Sequence, residues 1–143
     1  MMISDNGISE EGAKAFAEAL KLNSALTSVN IVSCYISEKG GKAFAEALRV
    51  NSRLTSPDVS GNGIRKEGVE AIAEALKIDS TLTSLNIGNN SISKDGAKAI
   101  GEALTINSAL TSLDMGYSSI SEEDAKSPCR RIKNEFNVNK SRY

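Results

Sequence analysis

Four stretches of this chain carry one eleven-residue pattern, "LTSVNIVSCYI" (26–36), "LTSPDVSGNGI" (54–64), "LTSLNIGNNSI" (82–92) and "LTSLDMGYSSI" (110–120), each starting 28 residues after the one before. An internal period of this size means a stack of small units, because a unit so short cannot shelter its own apolar face and must lean on its neighbours. One complete copy, 82–109, reads "LTSLNIGNNSISKDGAKAIGEALTINSA", and further copies run from 26 and from 54. Residues 1–25 are a clipped copy, "MMISDNGIS" aligning with "LNIGNNSIS" at 85–93, and 121–143 begin another copy and then abandon it.

Inside a copy the apolar period changes. Leu82, Leu85 and Ile87 keep a strand-like beat, with Ser84, Asn86 and Gly88 on the opposite face, and Ile92 closes a turn. After Ser93 the spacing is helical: Gly96, Ile100, Ala103 and Leu104 form one stripe, repeated as Gly12, Phe16, Ala19, Leu20 and as Gly40, Phe44, Ala47, Leu48. Ser9, Ser37 and Ser93 precede an acidic first turn and are predicted N-caps; Arg65 takes that place in the third copy, which predicts a weaker helix start. Strands stack about 4.8 Å apart and helices about 10 Å apart, so the row must bend with its strands on the inner wall. The predicted class is α/β, with a parallel sheet on the concave face and α-helices on the convex face.

Pro57 stands where the other copies have Val29, Leu85 and Leu113. A proline in an interior strand removes a ladder hydrogen bond. The flanking Leu54, Val59, Asn62 and Ile64 nevertheless hold register, so a shortened strand around 58–60 is expected.

The pattern Leu-x-x-Leu-x-Leu-x-x-Asn-x-Ile at 82–92, followed by a Gly-led helix and a 28-residue period, resembles the ribonuclease-inhibitor class of leucine-rich repeats. It is also similar to the repeat arrays of NOD-like receptors and of the Ran GTPase-activating protein. The resemblance covers residues 1 to about 124 and implies a right-handed solenoid, with an array over 1–124 and an atypical basic cap or tail over 125–143. It further implies that Asn6, Asn62 and Asn90 point inside and hydrogen-bond loop backbone from one copy to the next, Cys34 replacing that residue in the second copy and Ser118 in the last.

Chemistry is excluded more than it is suggested. There is no His and no Trp, and aromatics are 4 % of the chain, so the commonest general base and metal ligand is missing. Cys34 and Cys129 are 95 positions apart and form no metal-type or redox spacing. "GNGIRKEG" (61–68) and "GGKAF" (40–44) lack phosphate-loop spacing. Glu18, Glu46, Glu74 and Glu102 recur on the outer helix face, and Glu10, Lys14, Glu18 and Glu38, Lys42, Glu46 have the spacing of solvated ion-pair ladders. No catalytic residue, metal site or cofactor is expected, and the chain is read as a non-enzyme.

What remains is surface. The inner-wall positions form columns: Ser28, Ser56, Ser84, Ser112; then Asn30, Asp58, Asn86, Asp114; then Val32, Ser60, Gly88, Gly116. The resemblance implies that this concave face binds a protein partner; by composition, Tyr35 and Tyr117 at the rim are the aromatic anchors on offer. Regulation of a small GTPase, and a structural segment of a larger repeat receptor, are the rival readings. Residues 125–143 hold six basic and one acidic residue while 1–124 carry a net −6. An amphipathic cap through Ile132 and Phe136 is preferred there to a nucleic-acid or membrane-binding arm. Half a strand at Met1–Ile3 leaves an open edge, which predicts self-association at that end. With no secretory leader and no apolar run of spanning length, a cytoplasmic protein is expected.

Overall fold

The computed structural model describes residues 1–116. Helices α1 (Ser9–Leu22), α2 (Ser37–Leu48), α3 (Arg65–Leu76) and α4 (Lys94–Ile106) alternate with three-residue strands β1 (Ser28–Asn30), β2 (Ser56–Asp58), β3 (Ser84–Asn86) and β4 (Ser112–Asp114). The strands lie side by side in chain order in one parallel sheet. Its register follows the sequence period: Ser28 pairs with Ser56 and Asn30 with Asp58, Ser84 with Ser112 and Asn86 with Asp114. Met2 bridges Asn30 in the same sense, so the clipped first copy contributes the next place in the sheet.

Each helix packs on the next, α1 on α2, α2 on α3 and α3 on α4. The core lies between helices and sheet and is made by the inward strand residues Val29, Leu85 and Leu113, the turn residues Ile36, Ile64 and Ile92, and the helix residues Leu48, Ile72, Leu76 and Ile100, all buried. The buried helical stripe is wider than the expected one. Ala17, Ala45, Ala73 and Gly101 are also buried, since a helix in a row touches two neighbours as well as the sheet. α1 has a helix on one side only among the described residues; Ala19 is therefore exposed and Phe16 half-buried, although Ala47 and Phe44 at the same places in α2 are buried. The helix-leading glycine is a close-approach position: a Cβ on Gly40 would sit 2.8 Å from the Ala13 Cβ of the preceding helix.

Two of the three serine caps are corrected. Ser9 and Ser37 take left-handed backbone (φ 64° and 65°), and neither side chain caps its helix. The Ser37 N–H donates to the Asn62 carbonyl of the next copy (3.0 Å), which turns its hydroxyl away from the helix, toward Glu10 Oε2 at 3.4 Å. Arg65 makes the same start, φ 57° with its N–H on the Asn90 carbonyl at 2.9 Å, so α3 is tethered as α2 is rather than more weakly. Ser93 alone is extended (φ −76°) and caps, accepting from the Gly96 N–H at 3.2 Å.

Pro57 is buried within β2, which spans Ser56–Asp58 and not 58–60. Alternate N–H groups of a parallel strand point the same way. The Val59 N–H donates to Asn86 O of β3 (2.9 Å), so the N–H missing at Pro57 is also one that would face β3. Accordingly β2 keeps three registered pairs with β1 but only Asp58↔Asn86 with β3.

Candidate functional site

With side chains alternating between faces, residues Ser28, Ser56, Ser84 and Ser112 form one column on the open face of the sheet and Asn30, Asp58, Asn86 and Asp114 the next. The second column is fixed by its own strands. Asn30, Asp58, Asn86 and Asp114 each turn Oδ1 back to accept the N–H two residues on, from Val32, Ser60, Gly88 and Gly116, at 3.3, 3.0, 3.0 and 2.8 Å. Asn86 Nδ2 also donates to Asp58 Oδ2 across the sheet (3.0 Å). The column is thus held in one rotamer before anything binds, with Asp114 Oδ2 left over at its end.

A threonine column beside it was not anticipated. Thr55, Thr83 and Thr111 each donate Oγ1 to the carbonyl of the threonine one copy earlier (3.1, 3.3 and 3.0 Å), which consumes these hydroxyls in the ladder. Their recurrence in "LTS" was the available signal. At the other margin Gly88 and Gly116 bring two strands' backbones together, since a Cβ at Gly88 would lie 2.9 Å from Gly116 O. Across these strand positions the charged groups are Asp58 and Asp114, so the face is polar and anionic.

Beneath it run two buried amide ladders. Asn62 donates to the carbonyls of Ile31, Val59 and Ser60 (2.8, 2.9 and 3.0 Å) and accepts from the Cys34 N–H of the preceding copy (2.8 Å). Asn90 repeats this with Val59, Ile87 and Gly88 as acceptors and the Asn62 N–H as donor (2.9 Å). Cys34, in the same place, sets its Sγ 2.9 Å from Ile3 O, the carbonyl corresponding to Ile31 O. Asn6, in the first copy, is exposed and bonds only its own loop. The second ladder lies at the helix ends: Asn51 donates to Leu20 O and Asn23 O (2.6 and 3.0 Å), Asn107 to Leu76 O and Asp79 O (both 2.8 Å). Asn23, Asn51, Asp79 and Asn107 follow the ends of α1 to α4 at the 28-residue period, and that recurrence was the available signal for this ladder.

The profile of the family described as Leucine Rich repeat matches residues 3–17, 50–73 and 79–101. The chain has the leucine-rich repeat fold. Among solved structures it is similar to "Leiomodin-1 Actin-Binding Site 2 (ABS2)", with 26 % identity, a TM-score of 0.76, and coverage of 85 % of this chain and 73 % of that one. The tropomodulin C-terminal domain of Caenorhabditis elegans has the same fold at 11 % identity, with a TM-score of 0.73 and coverage of 88 % and 78 %. No curated protein matches.

On the helical side of the leucine-rich repeat array the charges pair within helices, as Lys14 with Glu10 (2.9 Å) and Lys21 with Glu18 (2.6 Å), and also between them. Lys39 reaches Glu10 (3.5 Å), Lys21 reaches Glu46 (3.5 Å), Lys66 reaches Asp95 (2.7 Å), and Lys42 pairs with Glu67 of the next helix rather than with Glu38 or Glu46 of its own. The hydrogen bonds from Lys14, Lys42 and Lys66 hold the carboxyls of Glu10, Glu67 and Asp95 below their ordinary values. Among the described residues no group of three metal-ligating side chains converges, and no helix is long and apolar enough to cross a membrane. Tyr35 is 76 % exposed and stands apart from the columns, bordering a pocket that none of them lines. Tyr117, Ser118, Cys129 and the tail 125–143 lie outside the described residues.

Proposed function

We propose that this leucine-rich repeat array is a non-enzymatic protein-interaction module of the ribonuclease-inhibitor-like class, binding a protein partner through the concave face of its sheet. The observation that carries this reading is the Asn30, Asp58, Asn86, Asp114 column, whose side chains are set by bonds to their own strands and so lose little freedom on contact. A face whose charges are Asp58 and Asp114 suits a polar or cationic segment. The leiomodin-1 likeness makes actin the partner to test first. Small-GTPase regulation finds no support among these relatives and is not carried forward.

Co-sedimentation with actin filaments, and capture of partners under the same conditions, test the reading. Reversing both charges, Asp58→Lys with Asp114→Lys, is expected to abolish binding while the far-ultraviolet circular dichroism stays unchanged. Binding that survives the double reversal would move the site off the sheet. Residues 1–124 are proposed as the array and 125–143 as its cap. Exposed Met1 and Met2, at 51 % and 75 %, together with half-buried Phe16 of the same copy, favour self-association through the first copy as a second reading. Light scattering that finds only monomers at high micromolar concentration would remove it.

A further inference from the structure

Tyr35 and Arg65 break the repeat in the same manner. The residues at the place of Tyr35 in the other copies are Gly7, Gly63, Ser91 and Ser119, and at the place of Arg65 they are Ser9, Ser37, Ser93 and Ser121. Both sit in left-handed backbone, φ 56° and 57°, a region that a bulky L-residue enters only under strain. The fold does not need either side chain there, since small residues serve in the other copies. Strain retained without a structural return points to a role outside the fold.

The two also meet in one place. Both line an open pocket of about 380 Å³ between the second and third copies, with Glu10, Glu38 and Lys39 among its other walls. Glu10 is engaged by Lys14 at 2.9 Å and by Lys39 at 3.5 Å. Among the described residues the Arg65 guanidinium makes no hydrogen bond or ion pair, and Tyr35 is 76 % exposed. Tyrosine and arginine are the residue types in which binding energy concentrates. Glu10, Glu38, Lys39 and Arg65 sum to zero charge, which disfavours a polyanion such as nucleic acid or an anionic lipid surface. A single carboxylate beside an apolar side chain fits: the planar guanidinium takes the carboxylate in bidentate fashion, and the phenol ring offers a flat apolar surface.

We infer that the pocket between Tyr35 and Arg65 is a second recognition site, which takes a peptide segment of a protein partner carrying an acidic side chain next to an aromatic or aliphatic one. The inference rests on the reading of the chain as a protein-interaction module, but not on the sheet being the face that binds.

The test is a nuclear magnetic resonance titration of the full ¹⁵N-labelled chain with the capped peptide Ala-Phe-Asp-Leu-Ala, with its Lys-for-Asp counterpart, and with heparin. The acidic peptide is expected to shift the amides of Tyr35, Lys39, Gly63 and Arg65 in a saturable way, and the lysine peptide to leave them in place. Tyr35→Gly and Arg65→Ser restore the small residues of the other copies. Each is expected to weaken the acidic peptide at least tenfold while melting no lower than the parent chain, a separation that a structural role does not give. Absence of rim shifts, shifts that persist in the double variant, tighter occupation by heparin, or a lower melting temperature in both variants would overturn the inference. Shifts confined to the Ser28, Ser56, Ser84, Ser112 column would overturn it too, while leaving the sheet-face reading intact.

Discussion

Asp79 shows how finely the helix-end ladder depends on one atom. Its Oδ1 accepts from the N–H groups of Thr81 and Leu82 (2.6 and 2.9 Å), as the Oδ1 of Asn51 does from Arg53 and Leu54 (2.9 and 2.8 Å). Where Asn51 and Asn107 then donate an amide to carbonyls of the preceding copy, Asp79 has only oxygen, and its Oδ2 is buried with no partner. By the repeat register that atom faces the carbonyls of Leu48 and Asn51. Asp79→Asn supplies the missing donor and is expected to stabilise the fold by about 1–3 kcal/mol in urea unfolding at neutral pH, the usual cost of an unsatisfied buried group. A loss of stability would show that the ladder is not what holds this turn. None of this was legible beforehand. Asn and Asp at a helix end serve equally well as turn residues on the surface, and only the register between copies shows which carbonyls the amide meets.

The order and kind of the elements could be read from the switch between alternating and helical spacing, because that periodicity is imposed by burial on every copy at once. Element starts were less legible: Ser37 looks like a cap in isolation, yet its N–H is claimed by Asn62 of the next copy. Pro57 was likewise misplaced, since a proline weakens only the side its N–H would have faced. Pro57→Leu restores a donor toward Ser84 O and is expected to raise stability by about 1 kcal/mol, with two-sided protection of β2 from hydrogen exchange. Between helices, the pairs Lys42–Glu67 and Lys66–Asp95 predict a pH response. Carboxyls held below their ordinary values of 4.5 and 3.8 contribute stability above those values, and that contribution is lost as pH falls through the lowered folded-state values. Lys42 and Lys66 are raised above 10.5, so their share is present below that value and is lost only as pH rises past it. The urea midpoint is therefore expected to stay flat across neutral pH and to drop in acid, with a slope that 1 M salt reduces because these pairs are exposed. An acid response unchanged by salt would assign it elsewhere.

At the scale of the whole molecule, each copy is completed by the next: the sheet, the helix row and both amide ladders all run across the copy boundaries. That dependence was legible in the period of 28, whereas the candidate site was only half legible. The register gives the columns on the sheet, but the convergence of Tyr35 and Arg65 depends on two backbone turns that their residue types disfavour. The most direct measurement is native-state hydrogen exchange on Asn90→Ala. Asn90 Oδ1 accepts from Asn62 and Ile64, and Asn62 does the same for Cys34 and Ile36. Interdependent copies predict that protection falls at Asn62 and Ile64 and, one copy further, at Cys34 and Ile36. Protection lost only between Ile87 and Ile106, with residues 31–64 unchanged, would contradict the account.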